Sequence, residues 1–503
     1  MAVIEPFDST GVYRDDNGVK RYHGIADSVI TLLRRTVEER PDQEAVVELD
    51  GPRVSYQQLW DAAARVSGGL RAAGVVRGDR VAIRYGNGLD WVLGFFGTLM
   101  AGGVAVPVNT RLSEHEVDYI VGDCTPAAVL APDSPLPEAA PYVVDDLRPD
   151  ELAAIFYTSG TTGFPKGAMT THENFCTNAE NALRVANIPR GDASVRNLVS
   201  VPLFHVTGCN SQLLPTLQNG GTQVIMPTFD VQRFLQAISE ERIRVVTSVP
   251  AIFWYALTRP DLSNYDLTGV GWATYGGAPI APSLVRGIQR GFPNARVGNG
   301  FGLTETASIS TFLPHEWADT HADSVGFAAP TVDLSLDLTV GDSHGEQGVG
   351  ELLIRGGNVV PGYWNKKEAT AEAFRDGWLH SGDMARIDDE GRTYIVDRIK
   401  DMINRGGENV YSVEVENVLA AAPGVFEVAV IGVPDAMMGE KVGAVLVPTP
   451  GQALDTDAVL AYARDHLADF KVPQFVAIRG EPLPRNAGGK VLKPALRAQT
   501  TWS

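Results

Sequence analysis

Helix followed by strand recurs along this chain, and no other feature restricts its fold as strongly. Residues 55–74, SYQQLWDAAARVSGGLRAAG, place Leu59, Ala63, Val66, Leu70 and Ala73 at steps of four and three, the spacing of an amphipathic helix. Ser55 stands where an N-cap is needed and Gly74 lies beyond the end. RVAIRY at 80–85 follows as a short strand. The order returns at 231–249, where VQRFLQAISEERI follows the capping candidate Asp230 and leads into RVVTSV. Such alternation predicts an α/β architecture with substantial parallel sheet.

A chain of 503 residues exceeds what one core usually covers, so two or more domains are expected. The proline-rich APDSPLPEAAP at 131–141 reads as a surface connection within the larger one. A sharper boundary lies near 398–411, DRIKDMINRGGENVY spanning it, where charge and glycine interrupt the apolar pattern. The compact unit after it opens with a helix carrying Glu414 and Glu416 and includes the strand VAVIGV at 428–433. Trp91 to Val108 is uncharged, but Gly102, Gly103 and Pro107 break it; a helix to Met100, a glycine turn and a buried strand are expected instead of a membrane span.

A net charge of −19 excludes nucleic acid or an anionic membrane as the main partner, since phosphate polymers are held by broad basic surfaces. Any phosphate binding is therefore local. The cysteines Cys124, Cys176 and Cys209 lack metal-ligand spacing and fit a reducing cytoplasm. The N-terminus, MAVIEPFDSTGVYRDDNG, has neither the basic start nor the apolar run of a signal peptide.

The stretch YTSGTTGFPKG, 157–167, sets four Ser and Thr hydroxyls and three glycines around one lysine. Glycines let backbone N–H groups approach an anion, hydroxyls add donors, and the lysine adds a mobile charge. That is a phosphate cradle. It is not a Walker loop, because Pro165 precedes Lys166 and no Ser or Thr follows it.

Four further stretches follow in order: NGFGLTE at 299–305, GYWNKKEATAEAFRDGWLHSGD at 362–383, DRIKDMINRGGENV at 397–410 and PRNAGGK at 484–490. Together with the loop they resemble the adenylate-forming superfamily of acyl-CoA synthetases, aryl-CoA ligases, luciferases and peptide-synthetase adenylation domains. The resemblance spans roughly residues 25–500, and five ordered motifs are far more specific than one. It implies an α/β chain with a large multi-subdomain N-terminal domain, 1–398, and a small mobile α+β domain, 399–503, turning on a hinge at Lys400.

The resemblance also implies roles. Thr158, Ser159, Gly160, Thr161, Thr162, Gly163 and Lys166 would wrap the ATP phosphates. Gly277, Ala278, Asn299, Gly300, Phe301, Gly302 and Thr304 would line the nucleotide site, with Phe301 standing where tyrosine is common. Glu305 is the candidate Mg²⁺ ligand and catalytic carboxylate, a carboxylate being suited to a hard cation. Asp383 would accept the ribose hydroxyls with Arg398 beside it; a structural ion pair is the alternative. Lys490 would bridge the acid and the α-phosphate during adenylation. Gly406, Gly407 and Glu408 would line a pantetheine channel after the small domain turns, or else form an ordinary glycine turn.

The implied activity is ATP-dependent acid:CoA ligation through an acyl adenylate, with CoA favoured over a tethered thiol because no carrier domain follows Ser503. GDS at 341–343 echoes a pantetheine-attachment serine only faintly and reads as a hairpin turn. Candidate acid-lining residues are His205, Val206, Gly208, Asn210, Val249, Phe253, Trp254, Tyr275 and Gly276, a largely apolar set that suits a hydrophobic monocarboxylate. His205 reads as a pocket gate before a general base. Relatives dedicated to malonate place an arginine soon after the Val249–Pro250 position, and this chain has none in 253–257. A fatty acid is the first expectation and an aromatic or cinnamate-like acid the second. A luciferase-like oxidoreductase and a noncatalytic nucleotide-binding protein are the readings from other classes. The expected partners are the acid, ATP and CoA, with a homodimer compatible with the chain.

Overall fold

A computed structural model describes residues 3–158, 165–258, 260–278, 280–340, 348–406, 408–449, 451–485 and 491–502. By packing, the chain divides into two units, one of residues 2–334 and 354–379, the other chiefly 335–353 and 380–503. The strand Trp378–Ile387 contributes residues to both.

In the larger unit the alternation read from the sequence is realised. Ser55 accepts from the Gln58 backbone N–H, and the Gln58 side chain accepts from the Ser55 N–H, so a capping box opens the helix Tyr56–Ala72. Such a cap stabilises a helix by about 1 kcal/mol. Leu59, Ala63, Val66 and Leu70 are buried, and Gly74 follows with a left-handed φ of 95°. Asp230 likewise caps Val231–Glu240, which leads into the strand Val245–Ser248. The uncharged stretch becomes the buried helix Leu89–Met100 and the buried strand Val104–Pro107. Among the described residues no helix is long and apolar enough to cross a membrane.

The 131–141 segment is more than a loose connection. A Cβ on Gly68 or Gly69 would stand 1.9 Å from the Ala140 carbonyl oxygen or 2.4 Å from the Pro137 backbone. Two glycines inside a helix cost roughly 1 kcal/mol each in propensity, and here they let the helix lie flush against this segment.

The larger unit holds a nine-stranded sheet whose middle is parallel. Glu44–Glu48, Thr222–Ile225, Arg196–Val199, Val245–Ser248, Trp272–Gly276 and Arg296–Phe301 lie side by side in that order. Parallel neighbours align their C-terminal ends along one edge, where ligands of open α/β sheets are bound. A second sheet of five strands ends in the antiparallel hairpin Leu152–Thr158 and Lys166–Thr171. Cys124, Cys176 and Cys209 are buried in this unit and free of disulfides.

The smaller unit builds its own core. Long antiparallel strands Val425–Asp435 and Gly439–Pro448 are joined by Ile403–Arg405, Glu408–Val410 and the parallel strand Phe475–Ile478. The helices Ser412–Ala420 and Thr456–His466 bury Val415, Leu419, Val459 and Ala463 in that core.

Candidate active site

Thr158 and Lys166 face each other at the neck of the hairpin, where the Thr158 hydroxyl donates to the Lys166 carbonyl at 3.3 Å. Ser159, Gly160, Thr161, Thr162 and Gly163 lie outside the described residues, as do Gly407, Lys490 and the GDS triplet.

The segment 362–364 attaches to the second strand of this hairpin. The Met169 N–H donates to the Gly362 carbonyl at 3.0 Å and the Trp364 N–H to the Gly167 carbonyl at 2.8 Å. This places Tyr363 against Lys166, whose ammonium stands 5.1 Å from the ring centroid. The Tyr363 hydroxyl donates to Glu305 Oε1 at 2.7 Å. Lys166 and Glu305, assigned to phosphate and metal on separate motifs, are thus brought to one tyrosine. Burial first, and then the Glu305 charge and hydrogen bond, push the Tyr363 phenol far above its ordinary pKa, so it remains a donor.

Glu305 rides on a short 3₁₀ turn, Thr304–Thr306, after the strand Arg296–Phe301. Its backbone carbonyl accepts from Val360 N–H at 2.9 Å. The buried Asn358 amide donates to the carbonyls of Thr306 at 3.0 Å and Ile309 at 2.9 Å. Neither Asn358 nor Tyr363 was assigned a role from sequence. The GYW that opens the third motif was the available signal for Tyr363.

Backbones replace side chains around the nucleotide candidates. Gly276 pairs with Gly300 on neighbouring parallel strands, and a Cβ on Gly276 would lie 2.3 Å from the Gly300 carbonyl oxygen. A Cβ on Gly302 would lie 1.3 Å from the Ser308 carbonyl oxygen. Gly277 and Ala278 follow as an exposed bend, and Phe301 and Thr304 are half-buried. Asn299 is engaged structurally, its amide donating to the Ser324 carbonyl at 3.1 Å.

The acid candidates follow the same sheet edge. His205, with Val206, comes shortly after Arg196–Val199; Val249 follows Val245–Ser248; Tyr275 and Gly276 end their strand. His205, Val206, Val249 and Trp254 are half-buried. Phe253 and Tyr275 are buried, Phe253 edge-on to Phe292 at 6.0 Å. Asn210 is buried, its side-chain amide donating to the Ala307 carbonyl at 2.9 Å, while its backbone carbonyl accepts from the Asn178 side chain. Gly208 packs against the Pro202 carbonyl.

In the smaller unit, Asp383 and Arg398 are register partners on the antiparallel strands Trp378–Ile387 and Thr393–Arg398. Lys400 is exposed in the turn that follows. Gly406, with a φ of 64°, turns the chain between Ile403–Arg405 and the exposed Glu408, and its N–H donates to the Met438 carbonyl at 2.7 Å. Arg485 and Val491 form an antiparallel bridge on either side of residues 486–490, which lie outside the described residues.

Residues 33–143 and 133–364 match the family described as AMP-binding enzyme, and residues 414–490 match the AMP-binding enzyme C-terminal domain. A feruloyl-CoA synthase of Amycolatopsis sp is 38% identical over 468 residues, covering 89% of this chain and 94% of that protein. The long-chain-fatty-acid–CoA ligase FadD13 of Mycobacterium tuberculosis is 36% identical over 501 residues, covering 93% and 97%. Among solved structures, an o-succinylbenzoate CoA synthetase of Bacillus subtilis in complex with its acyl-adenylate intermediate superimposes with a TM-score of 0.84 at 27% identity, covering 94% of this chain and 99% of that one. With family matches and relatives that span nearly the whole length, the chain belongs to the AMP-binding enzyme family.

Proposed function

We propose that this enzyme is an acid:CoA ligase that activates a hydrophobic monocarboxylic acid, a fatty acid first. The acid's carboxylate oxygen attacks the α-phosphorus of ATP and pyrophosphate leaves. The CoA thiol then attacks the acyl carbonyl and AMP leaves. The observation that carries the reading is the placing of Lys166 and Glu305 on one tyrosine, a cation and an anion held for a reaction between two anions.

Glu305 suits a magnesium ligand, because its carboxylate is an acceptor whose orientation is fixed by the Tyr363 hydroxyl. Bound Mg²⁺ supplies charge neutralisation on the phosphates. Thr158 and Lys166, with the loop between them, hold the phosphates; the glycine-lined ends of the two parallel strands admit the adenine; Asp383 and Arg398 take the ribose. Lys490 serves adenylation, and Gly406, Gly407 and Glu408 serve CoA after rotation about Lys400. The cytoplasm is the proposed compartment.

The apolar and aromatic candidates Val206, Val249 and Trp254 support a hydrophobic acid. An aromatic acid is the second reading, favoured by the half-buried edge-on pair Trp254–Tyr255 and by the likeness to a feruloyl-CoA synthase. The test is a panel of fatty, cinnamate-like and dicarboxylic acids assayed for AMP release with and without CoA. Turnover of a fatty acid to its thioester supports the reading. Adenylate formation that never yields a thioester overturns it.

A further inference from the structure

We infer that Tyr363 is a positioning residue that keeps the phosphate-binding cation and the metal-binding carboxylate apart while aligning both. The inference rests on the roles proposed above for Lys166 and Glu305.

Lys166 and Glu305 have opposite charges and share one neighbour, so the simplest outcome would be a salt bridge that consumes both. Among the described residues neither enters one; both contacts run to Tyr363. Tyr363 instead offers a different face to each. Its ring takes the ammonium by a cation–π contact, which attracts the charge without neutralising it, and its hydroxyl takes the carboxylate by a hydrogen bond. Lys166 keeps its full charge for phosphate, and Glu305 keeps its charge for a cation.

The tyrosine is held firmly enough to do this. It is 8% exposed, its backbone bridges to Ala168 in antiparallel register, and its N–H donates to Thr370 Oγ1 at 3.0 Å. Phe374 packs edge-on to the ring at 5.6 Å. Hairpin and tyrosine therefore form one piece, to which Glu305 is tied by the hydroxyl.

Tyr363→Phe and Tyr363→Leu separate the two contacts. Phenylalanine keeps the ring under Lys166 and deletes only the donor. Losing one hydrogen bond to a charged group should raise the Mg²⁺ concentration for half-maximal adenylation about tenfold. By calorimetry, metal-free ATP should bind the Phe variant as it binds wild type, and Mn²⁺ bound to the ATP complex, followed by EPR, should be held about tenfold more weakly. Leucine removes both contacts and should also weaken metal-free ATP binding about fivefold. The KM for the acid should not change in either variant. A Phe variant with wild-type metal dependence overturns the inference. So do two variants that lose kcat equally with unaltered ATP and metal binding, which is the mark of a merely structural residue. If wild type activated no acid while the variants still shifted ATP and metal binding as described, the positioning role would stand and the proposed reaction would fall.

Discussion

Arg398 Nε lies 3.0 Å from Asp383 Oδ1, across a single register pair of antiparallel strands, with the carboxylate side chain only 3% exposed and the guanidinium 38%. A pair so unequally buried commits the carboxylate more than the cation. Asp383→Asn preserves shape and removes the charge. Under the ribose assignment the KM for ATP rises at least about tenfold, since hydrogen bonds to a charged acceptor are lost. Steady-state kinetics beside a melting curve decides: a lower Tm with unchanged KM for ATP would reduce the pair to a brace.

Lys490→Ala is expected to abolish adenylation from acid and ATP while sparing thioester formation from supplied acyl adenylate, because the charge is needed only while two anions meet. Both half-reactions are read separately in a folded variant. Equal loss of the two would falsify this division of labour.

Gly300 and Gly302 sit two residues apart and should respond differently to alanine. At Gly302 the new methyl would meet the Ser308 carbonyl oxygen at 1.3 Å, whereas at Gly300 the nearest atom is Phe312 Cδ2 at 3.8 Å. Gly302→Ala should destabilise the fold by about 3 kcal/mol or more, the upper end of overpacking costs. Gly300→Ala should leave stability near wild type and weaken ATP binding. Urea midpoints and ATP titrations on both variants test the contrast, and equal midpoints would contradict it.

His172 introduces a pH dependence unrelated to catalysis. Burial holds its imidazole down at about 4, with Glu151 opposing and Arg77 assisting, and Nδ1 accepts from the Val29 N–H at 3.3 Å. The folded pKa is depressed, so the contribution is complete above about 6.5 and is lost as pH falls towards 4. Between pH 7.5 and 4.5 that amounts to a few kcal/mol, on the order of one for each unit of pKa lowering. His172→Gln should remove this part of the slope in urea unfolding; an unchanged slope would assign it elsewhere.

What was legible in the sequence was local. Ser55 and Asp230 announce helices because a cap and a periodic stripe lie within a few residues of each other. The phosphate loop was legible by its composition alone, while the antiparallel strands that flank it came with the fold. Tyr363 was not, because its meaning depends on the segment 362–364 pairing with a strand nearly two hundred residues earlier. The pairing of Thr222–Ile225 with Glu44–Glu48 was hidden likewise. Phe253, read as acid-lining, is buried against Phe292, a partner that helical spacing alone does not disclose. The pentad of motifs made the family readable, while the contacts that orient each side chain came only with the fold.

The alignment of parallel strand ends along one edge has a consequence for descent. Val249 and Phe301 each stand at or just beyond the last residue of a strand whose interior is occupied with holding the sheet together. Side chains at such termini can be exchanged without altering strand register, because the pairing hydrogen bonds belong to the backbone. Under the acid assignment proposed for the first of these positions, a lineage built this way can change its diet by a handful of replacements at one rim, and the rest of the gene need not follow.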